Sequence, residues 1–245
     1  MKPNHHLPIF VTYWWAKSKY TLNPNTKFDH MKKKESSGML TYQQTAKQLK
    51  SDVESFGLDF YYTRIKNDNY QSNINYKAQF IRKCLLRFKR PVVYMDNDLR
   101  MYKYPHMFVN TNNIDIMALN WNGTKKTSVF ETAGPLFYFG YTPNAIRLLD
   151  EWIKLSALPI HRGKADDRLL AMAFSMSNAS IWCKFKWLRT DYLYFPAYFD
   201  DLPKHKIVIG HPYDSTDESD AFKLGSSKNR IPRNYYQTIY NKQTR

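Results

Sequence analysis

Short apolar runs alternate with amphipathic segments along most of the chain. Near the N-terminus, LPIFVTYWW is rich in β-branched and aromatic residues, so it predicts a first strand that ends near Tyr13. LDFYYTRI, PVVYM, IDIMALNW and PLFYFG predict further strands, and SIWCKFKW and KIVIG predict two more toward the C-terminus. PVVYM is apolar at almost every position, as expected of a strand that is covered on both faces.

Helical periodicity separates these strands. In TYQQTAKQLKSDVESFG, Thr41 stands three residues before Gln44, which is the spacing of a capping box, and Gly57 ends the pattern. YKAQFIRKCLLRFKR has one apolar stripe, TPNAIRLLDEWIKL begins with an N-cap threonine and a proline, and another helix is predicted from about Asp166. The alternation predicts an α/β fold with a mixed, mainly parallel central sheet flanked by helices.

Two segments lack this periodicity. Residues 16–40 are polar, contain the triplet Lys32, Lys33 and Lys34, and predict a long loop. Residues 214–245 predict a C-terminal tail. A length of 245 residues suits one α/β domain with a full core, so we expect residues 1–245 to form a single domain.

Composition adds a strong positive charge to this picture. Hydrophobic residues make up 43% and charged residues 24% of the chain, which excludes a fully disordered protein, and the formal net charge is +16. Such a charge favours polyanionic partners, whether nucleic acid, an anionic membrane surface or phosphate-bearing ligands.

The sequence also bears on the compartment. We expect a cytoplasmic protein, because the N-terminus lacks a signal-peptide pattern and no apolar stretch approaches the ~20 residues of a membrane span. A peripheral membrane contact through basic residues stays open. Cys84 and Cys183 lie among apolar residues, so we expect buried free thiols rather than a disulfide or a metal site.

Two carboxylates, Asp96 and Asp98, directly follow the apolar run PVVYM. Ligands of open α/β sheets bind beyond the carboxyl ends of the strands, and paired carboxylates suit a divalent cation that also holds substrate phosphates. A turn capped by its own Asp and Asn side chains is the alternative. A haloacid-dehalogenase-like phosphatase is another, but its Asp-x-Asp-x-Thr/Val pattern fails at Arg100.

Several segments resemble the glycosyltransferases of the GT-A fold, which use nucleotide-diphospho-sugars. YKAQFIRKCLLRFKRPVVYMDNDLRM looks like their lysine-containing helix, strand and Asp-x-Asp turn. TAGPLFYFGYTPNAIRLLDEW is similar to their Asn-Ser/Ala-Gly segment and Thr-Pro helix, and DDRLLAMAF to their Asp-Gln helix start. The resemblance implies one GT-A-like, Rossmann-like domain, with a nucleotide- and metal-binding half over residues 1–110 and an acceptor-binding, catalytic half over residues 111–213.

The resemblance implies a metal-dependent transferase. Asp96 and Asp98 would hold Mn²⁺ or Mg²⁺ against the diphosphate of a nucleotide-sugar donor, with UDP as the expected nucleotide. His211 after KIVIG would be the third ligand, although the family's His-x-x-Gly-x-x-Lys-Pro-Trp pattern is absent and a solvent-facing loop histidine is the alternative. The acceptor would be a hydroxyl of a glycan, free or attached to lipid or protein.

The same resemblance assigns several residues to the donor nucleotide. Thr12, Tyr13 and Trp14 would contact base and ribose, although aromatic core packing explains the two rings equally well. Lys77 and Arg82 would reach the phosphates, with solvated helix charges as the alternative. The lysine triplet of residues 32–34 would fold over the diphosphate or stay solvated.

The catalytic expectations concern three positions. Gly134 ends the Thr-Ala-Gly that replaces the family's Asn-Ser-Gly, and it permits a close backbone approach. Asp166 matches the family Asp and would bind sugar hydroxyls, while Asp167 replaces the family Gln near the anomeric carbon. We therefore expect Asp167 to act as general base in an inverting transfer, with a nucleophile or ion-pair role in retention as the alternative. The helix dipole alone also favours acids at this position.

A basic nucleic-acid-binding module is the alternative from another class, since KFKWLRTDYLYF interleaves cations and aromatic rings. The chain has no RRM, KH or zinc-finger signature, and its basic residues are scattered. We therefore expect no nucleic-acid partner.

Overall fold

The structure of the protein, a computed structural model, describes residues 7–15, 19–22, 40–66, 70–111, 113–120, 131–161, 164–194 and 202–215. The strands are β1 (Ile9–Trp14), β2 (Lys19–Leu22), β3 (Leu40–Thr41), β4 (Phe60–Arg64), β5 (Val92–Met95), β6 (Arg100–Met101), β7 (Ile116–Asn120), β8 (Thr132–Phe139), β9 (Phe185–Trp187), β10 (Ile209–Gly210) and β11 (Tyr213–Ser215). The α-helices are α1 (Tyr42–Ser55), α2 (Tyr70–Asn75), α3 (Lys77–Phe88), α4 (Pro143–Ala157), α5 (Asp166–Met176) and α6 (Ala179–Trp182).

A six-stranded sheet in the order β4-β1-β5-β8-β7-β9 forms the centre of the fold. The pairs β4–β1, β1–β5 and β7–β9 are parallel, whereas β8 runs antiparallel to both of its neighbours. Five strands therefore point in one direction and β8 in the other. This arrangement confirms the predicted α/β class with a mixed, mainly parallel sheet.

Helices cover this sheet with apolar side chains. α1 packs against β1 and β4, α3 against β1 and β5, and α5 against β8 and α4. All four residues of β5 are buried, which agrees with the apolar pattern of PVVYM. The carboxyl ends of β1, β4 and β5 meet at one edge of the sheet because these strands are parallel.

Local signals set the ends of the main helices. The Thr41 side chain accepts a hydrogen bond from the backbone N–H of Gln44, and the Gln44 side chain bonds back to Thr41, so the predicted capping box is present. Gly57 follows α1 with φ of +71°, in the left-handed region that glycine tolerates. At α4, Thr142 caps the helix and Pro143 occupies its first position, also as predicted.

Two predictions from the apolar pattern need correction. SIWCKFKW was expected to be one strand, but its first part lies in the short helix α6 and only β9 is extended. A short apolar run does not by itself distinguish a buried helical turn from a strand. Residues 16–40 were expected to be a loop, yet they contain β2 and the start of β3, which join β11 in a separate three-stranded sheet. The lysines 32–34 lie outside the described residues.

Both cysteines are buried and free, as expected. Burial raises the pKa of the Cys84 and Cys183 thiols to about 12. No helix in the described part of the chain is both long and apolar enough to cross a membrane.

Candidate functional site

The Asp-Asn-Asp turn continues directly from β5 and is held on both sides. The Asp96 N–H donates to the carbonyl of Pro135 on β8 at 2.8 Å, and the carbonyl of Asp96 accepts from the Leu99 N–H at 3.1 Å. The Asn97 side chain donates to the carbonyl of Tyr42 at 3.3 Å, which joins the turn to the start of α1. The turn is therefore well anchored, and it presents Asp96 and Asp98 at the carboxyl edge.

Lys77 lies at the centre of a buried charged cluster. Its Nζ is 3.1 Å from Asp96 Oδ1 and 2.5 Å from Asp166 Oδ2, and it donates to the carbonyl of Gly134 at 2.9 Å. The Nζ also lies 4.8 Å from the ring centroid of Tyr94. Only 4% of Lys77 is exposed, so in this structure its charge faces the two carboxylates rather than solvent.

Gly134 allows this cluster to be compact. A Cβ at this position would lie 3.2 Å from Asp166 Oδ1 and 3.6 Å from the Asp167 Cβ, so a larger residue would press on the start of α5. The close backbone approach expected from the sequence is therefore an approach of β8 to Asp166 and Lys77.

Burial and charge together determine the protonation of the cluster. Burial alone would lower the pKa of Lys77, but the carboxylates of Asp166 and Asp96 outweigh it and raise that pKa above its ordinary value. Burial raises the pKa of Tyr94, and the nearby Asp96 carboxylate raises it further. Burial also raises the pKa of Asp96, while the Lys77 ammonium opposes this effect. Lys77 therefore stays charged, and the Tyr94 hydroxyl keeps the proton that it donates to Asp96 Oδ1 at 2.6 Å.

The second acid of the turn, Asp98, meets His211. β6 follows the turn and pairs antiparallel with β10, with Gly210 opposite Arg100, so the next residue, His211, lies beside the turn. The distance from His211 Nε2 to Asp98 Oδ2 is 2.9 Å. Two residues far apart in the sequence thus come together.

The resemblance to GT-A enzymes implies that these side chains would hold a divalent metal. The described residues contain no group of three or more His, Cys, Asp or Glu side chains that could hold a metal ion. Asp98 Oδ1, however, is buried and has no hydrogen-bond partner among them. One orphaned carboxylate oxygen beside an imidazole suits Mn²⁺ or Mg²⁺ when substrate phosphates supply further ligands.

The start of α5 presents two acids with different surroundings. Asp166 is buried and paired with Lys77, whereas Asp167 is half-buried, and its Oδ1 accepts from the Arg168 N–H at 2.7 Å. The carbonyl of Asp167 accepts from the Thr132 hydroxyl at 3.3 Å, which ties α5 to β8. Of the two acids, Asp167 is therefore the one that is partly exposed.

The residues assigned to the nucleotide are distributed more widely. Thr12 and Tyr13 are buried, and the Tyr13 hydroxyl donates to the carbonyl of Asn73 at 2.8 Å, which is the core-packing alternative. Trp14 is half-buried, with the Arg64 guanidinium 5.5 Å from its ring centroid. Arg82 pairs with Asp150 on α4 at 2.6 Å and does not join the Lys77 cluster.

Tyr94 is a member of the site that the sequence analysis missed. Alternate residues of a strand share a face, so Tyr94 and Asp96 project to the same side of β5, and this spacing is visible in the sequence. Arg100, the position at which the phosphatase pattern fails, binds Asp52 on α1 through two hydrogen bonds of 2.6 and 2.9 Å.

Comparisons with known proteins agree with the fold. The chain is similar to a solved structure described as a glycosyltransferase involved in the glycosylation of the major capsid of PBCV-1. The TM-score is 0.55, with 12% identity over 83% of this chain and 94% of that chain. At this identity the similarity shows a shared fold alone. No family model matches the sequence, and no curated protein does.

Proposed function

We propose that this protein is a metal-dependent glycosyltransferase, which moves a sugar from a nucleotide-diphosphate donor, with UDP as the expected nucleotide, to a hydroxyl of a glycan. The observation that supports it most directly is a set of side chains that meet at the carboxyl edge of the central sheet, namely Asp96, Asp98, Asp166 and His211. The chain also shares its fold with a solved glycosyltransferase. Neither the phosphatase nor the nucleic-acid alternative has a comparable observation in its favour.

In this proposal Asp98 and His211 hold Mn²⁺ or Mg²⁺, with Asp96 beside them. When bound, the cation neutralises the charge that develops on the departing diphosphate. The two contacts to Asp96 both engage its Oδ1, so Lys77 and Tyr94 hold this carboxylate in place. Asp98 offers the orphaned Oδ1.

We assign the general base to Asp167 and the binding of sugar hydroxyls to Asp166. Asp166 is buried, and its carboxylate already pairs with Lys77 at 2.5 Å. Asp167 is the more exposed of the two, so its carboxylate is the one that an acceptor hydroxyl would reach. When a base takes the proton of the acceptor hydroxyl, the acceptor oxygen can displace the diphosphate directly, and the anomeric centre is inverted.

Thermal unfolding in the presence of Mn²⁺ and UDP tests the proposal. A ligand that binds the native state raises the melting temperature by mass action, so the wild-type protein should be stabilised by the two together. Asp98→Asn removes the negative charge of the proposed metal ligand and should abolish the metal-dependent part of the melting-temperature shift. If no nucleoside diphosphate with either metal stabilises the wild-type protein, the proposal is wrong.

Asp59→Asn is a matched control for this experiment. Asp59 directly precedes β4, so it lies at the opposite edge of the sheet from Asp96, and it pairs with Arg90 at 2.6 Å. The variant undergoes the same chemical change and should keep the full shift with Mn²⁺ and UDP. Product analysis by NMR with a series of UDP-sugars then identifies the sugar and the anomeric outcome.

A further inference from the structure

Outside the site described above, the edge of the central sheet carries a second concave surface. It lies between β4, the edge strand, and α3, and has a volume of about 570 Å³; we call it the β4–α3 groove. Phe80 and Cys84, which are both buried, form part of its floor. A volume of this size is sufficient for a small-molecule ligand.

The lining of the β4–α3 groove is strongly basic. Arg64, Lys66, Lys83 and Arg87 all line it, and all four are exposed. No carboxylate occurs among the described lining residues, and none of the four cations forms an ion pair within the described part of the chain. The groove therefore concentrates positive charge that the described residues do not neutralise.

Aromatic rings, rather than acids, position two of these cations. Lys83 donates to the Tyr76 hydroxyl at 3.0 Å and lies 5.0 Å from the Tyr76 ring centroid. Arg87 donates to the Tyr61 hydroxyl at 3.1 Å and lies 4.8 Å from that ring centroid. Contacts of this kind orient a cation and leave its charge available to a ligand.

Other cations in the described part of the chain do have carboxylate partners. Several of them are bound by carboxylates at 2.5 to 3.1 Å, namely Lys77, Arg82, Arg90, Arg100 and Arg189. Three of the five, Lys77, Arg82 and Arg90, lie on or just after α3, the helix that also carries Lys83 and Arg87. Among the described residues, the lack of a carboxylate partner is therefore a property of the groove and not of this helix.

The surroundings of the Tyr61 and Tyr76 rings indicate whether the anionic ligand could be a nucleic acid. Tyr61 stacks on Phe80 with an interplanar angle of 14°, and Tyr76 makes an edge contact with Tyr13. With protein on one side and a cation close to the ring, neither tyrosine offers a free face for a nucleic-acid base to stack on. Recognition in the groove would then depend on anionic groups alone.

We propose that the β4–α3 groove binds an oligophosphate group, carried either by a soluble compound or by a phosphorylated lipid headgroup. Two guanidinium groups offer bidentate hydrogen bonds to phosphate oxygens, and two ammonium groups add point charges. The proposal is independent of the transferase activity, because it uses none of the residues of the Lys77 cluster or of the Asp98–His211 pair.

Calorimetric titration with inorganic tripolyphosphate tests this site, at about 0.15 M salt to screen weak surface attraction. EDTA in the buffer removes any metal-dependent binding near Asp98. We expect the double variant Lys83→Gln, Arg87→Gln to weaken binding by at least about tenfold, because it removes two of the four phosphate contacts. Vesicles of phosphatidylcholine with a phosphatidylinositol phosphate form the second arm, read by co-sedimentation.

The double variant Lys103→Gln, Lys186→Gln is the matched control. It loses the same charge at two exposed lysines outside the groove and should change the affinity by less than about twofold. Groove-dependent binding of tripolyphosphate supports a soluble ligand, and groove-dependent binding of vesicles alone supports a lipid headgroup. Equal losses in the two double variants, or no binding in either arm, overturn the proposal. Tighter groove-dependent binding of a single-stranded oligonucleotide also overturns it, in favour of nucleic acid.

Discussion

Lys77 is the residue on which the charge balance of the site depends. It is buried between Asp96 and Asp166, and these two carboxylates raise its pKa despite the effect of burial. A buried ion pair adds little to stability by itself, but removing one partner leaves the other charge without compensation. Two acids would be left in this state if the lysine were lost.

We therefore predict that Lys77→Met destabilises the protein by about 3–5 kcal/mol, as measured by urea unfolding. The second change Asp166→Asn should restore part of this loss, because it removes one of the two uncompensated carboxylates. Lys47→Met, at an exposed position of α1, is the control and should cost no more than about 0.5 kcal/mol. Equal effects of the two lysine substitutions would show that the buried cluster contributes no more than a surface charge.

Asp167 allows a separate prediction about turnover. Asp167→Asn removes the proposed base but keeps the size of the side chain and its acceptor oxygen for the Arg168 N–H. We expect donor binding to persist and the transfer rate to fall by about 10²–10⁴, the usual contribution of a general base. Retained turnover under steady-state assay would remove Asp167 as the base, while a parallel loss of donor affinity would assign it to binding.

Asp115 joins the second half of the sheet to α4. It is buried just before β7, where its carboxylate accepts from the Thr142 hydroxyl at 2.5 Å and from the Lys184 N–H at 2.7 Å. Asn144, at the start of α4, also donates to it at 3.4 Å. One acid thus connects β7, the N-terminus of α4 and the segment before β9.

We predict that Asp115→Ala costs about 3 kcal/mol in chemical unfolding, since three donors in partly buried hydrogen bonds lose their common acceptor. Thr142→Ala should cost about 1–2 kcal/mol, because it removes the N-cap as well as one of these hydrogen bonds. Thr142→Ser keeps the hydroxyl and should be close to neutral. If Asp115→Ala is as mild as Thr142→Ser, the network does not join these elements.

The elements also show what the sequence can and cannot predict. The β5 strand and its Asp96–Asp98 turn depend on local pattern and were predicted with their correct position. The pairing of β10 with β6 was not predictable from local pattern, because it joins two-residue strands more than a hundred positions apart. Lys77 was predicted to face the nucleotide, and only tertiary packing shows that Asp166 reaches its ammonium.

The whole molecule has a core that continues from β1 through β5 and β8 to α4 and α5. The sequence predicts one domain, and a continuous core favours cooperative unfolding over separate unfolding of two halves. The two cysteines offer a direct test, since Cys84 lies on α3 in the first half and Cys183 follows α6 in the second. Both are buried and free.

We predict that both thiols become reactive at the same guanidinium concentration. Burial raises their pKa from 9.0 to about 12, so at about pH 8 the native thiols are neutral and react slowly with iodoacetamide. Unfolding returns the pKa to its ordinary value and exposes the sulfur. Above pH 9 only the unfolded state releases these protons, so each thiol also lowers stability progressively as the pH rises toward about 12.

Mass spectrometry of peptides with Cys84 or Cys183 gives a separate midpoint for each half of the chain. Coincident midpoints, which also match the far-UV circular dichroism transition, are expected from one cooperative unit. Cys84→Ala and Cys183→Ala variants check that modification of one thiol does not itself unfold the rest. Two midpoints that differ beyond error would instead divide the chain into two units, and the sheet would then be cooperative only within each of them.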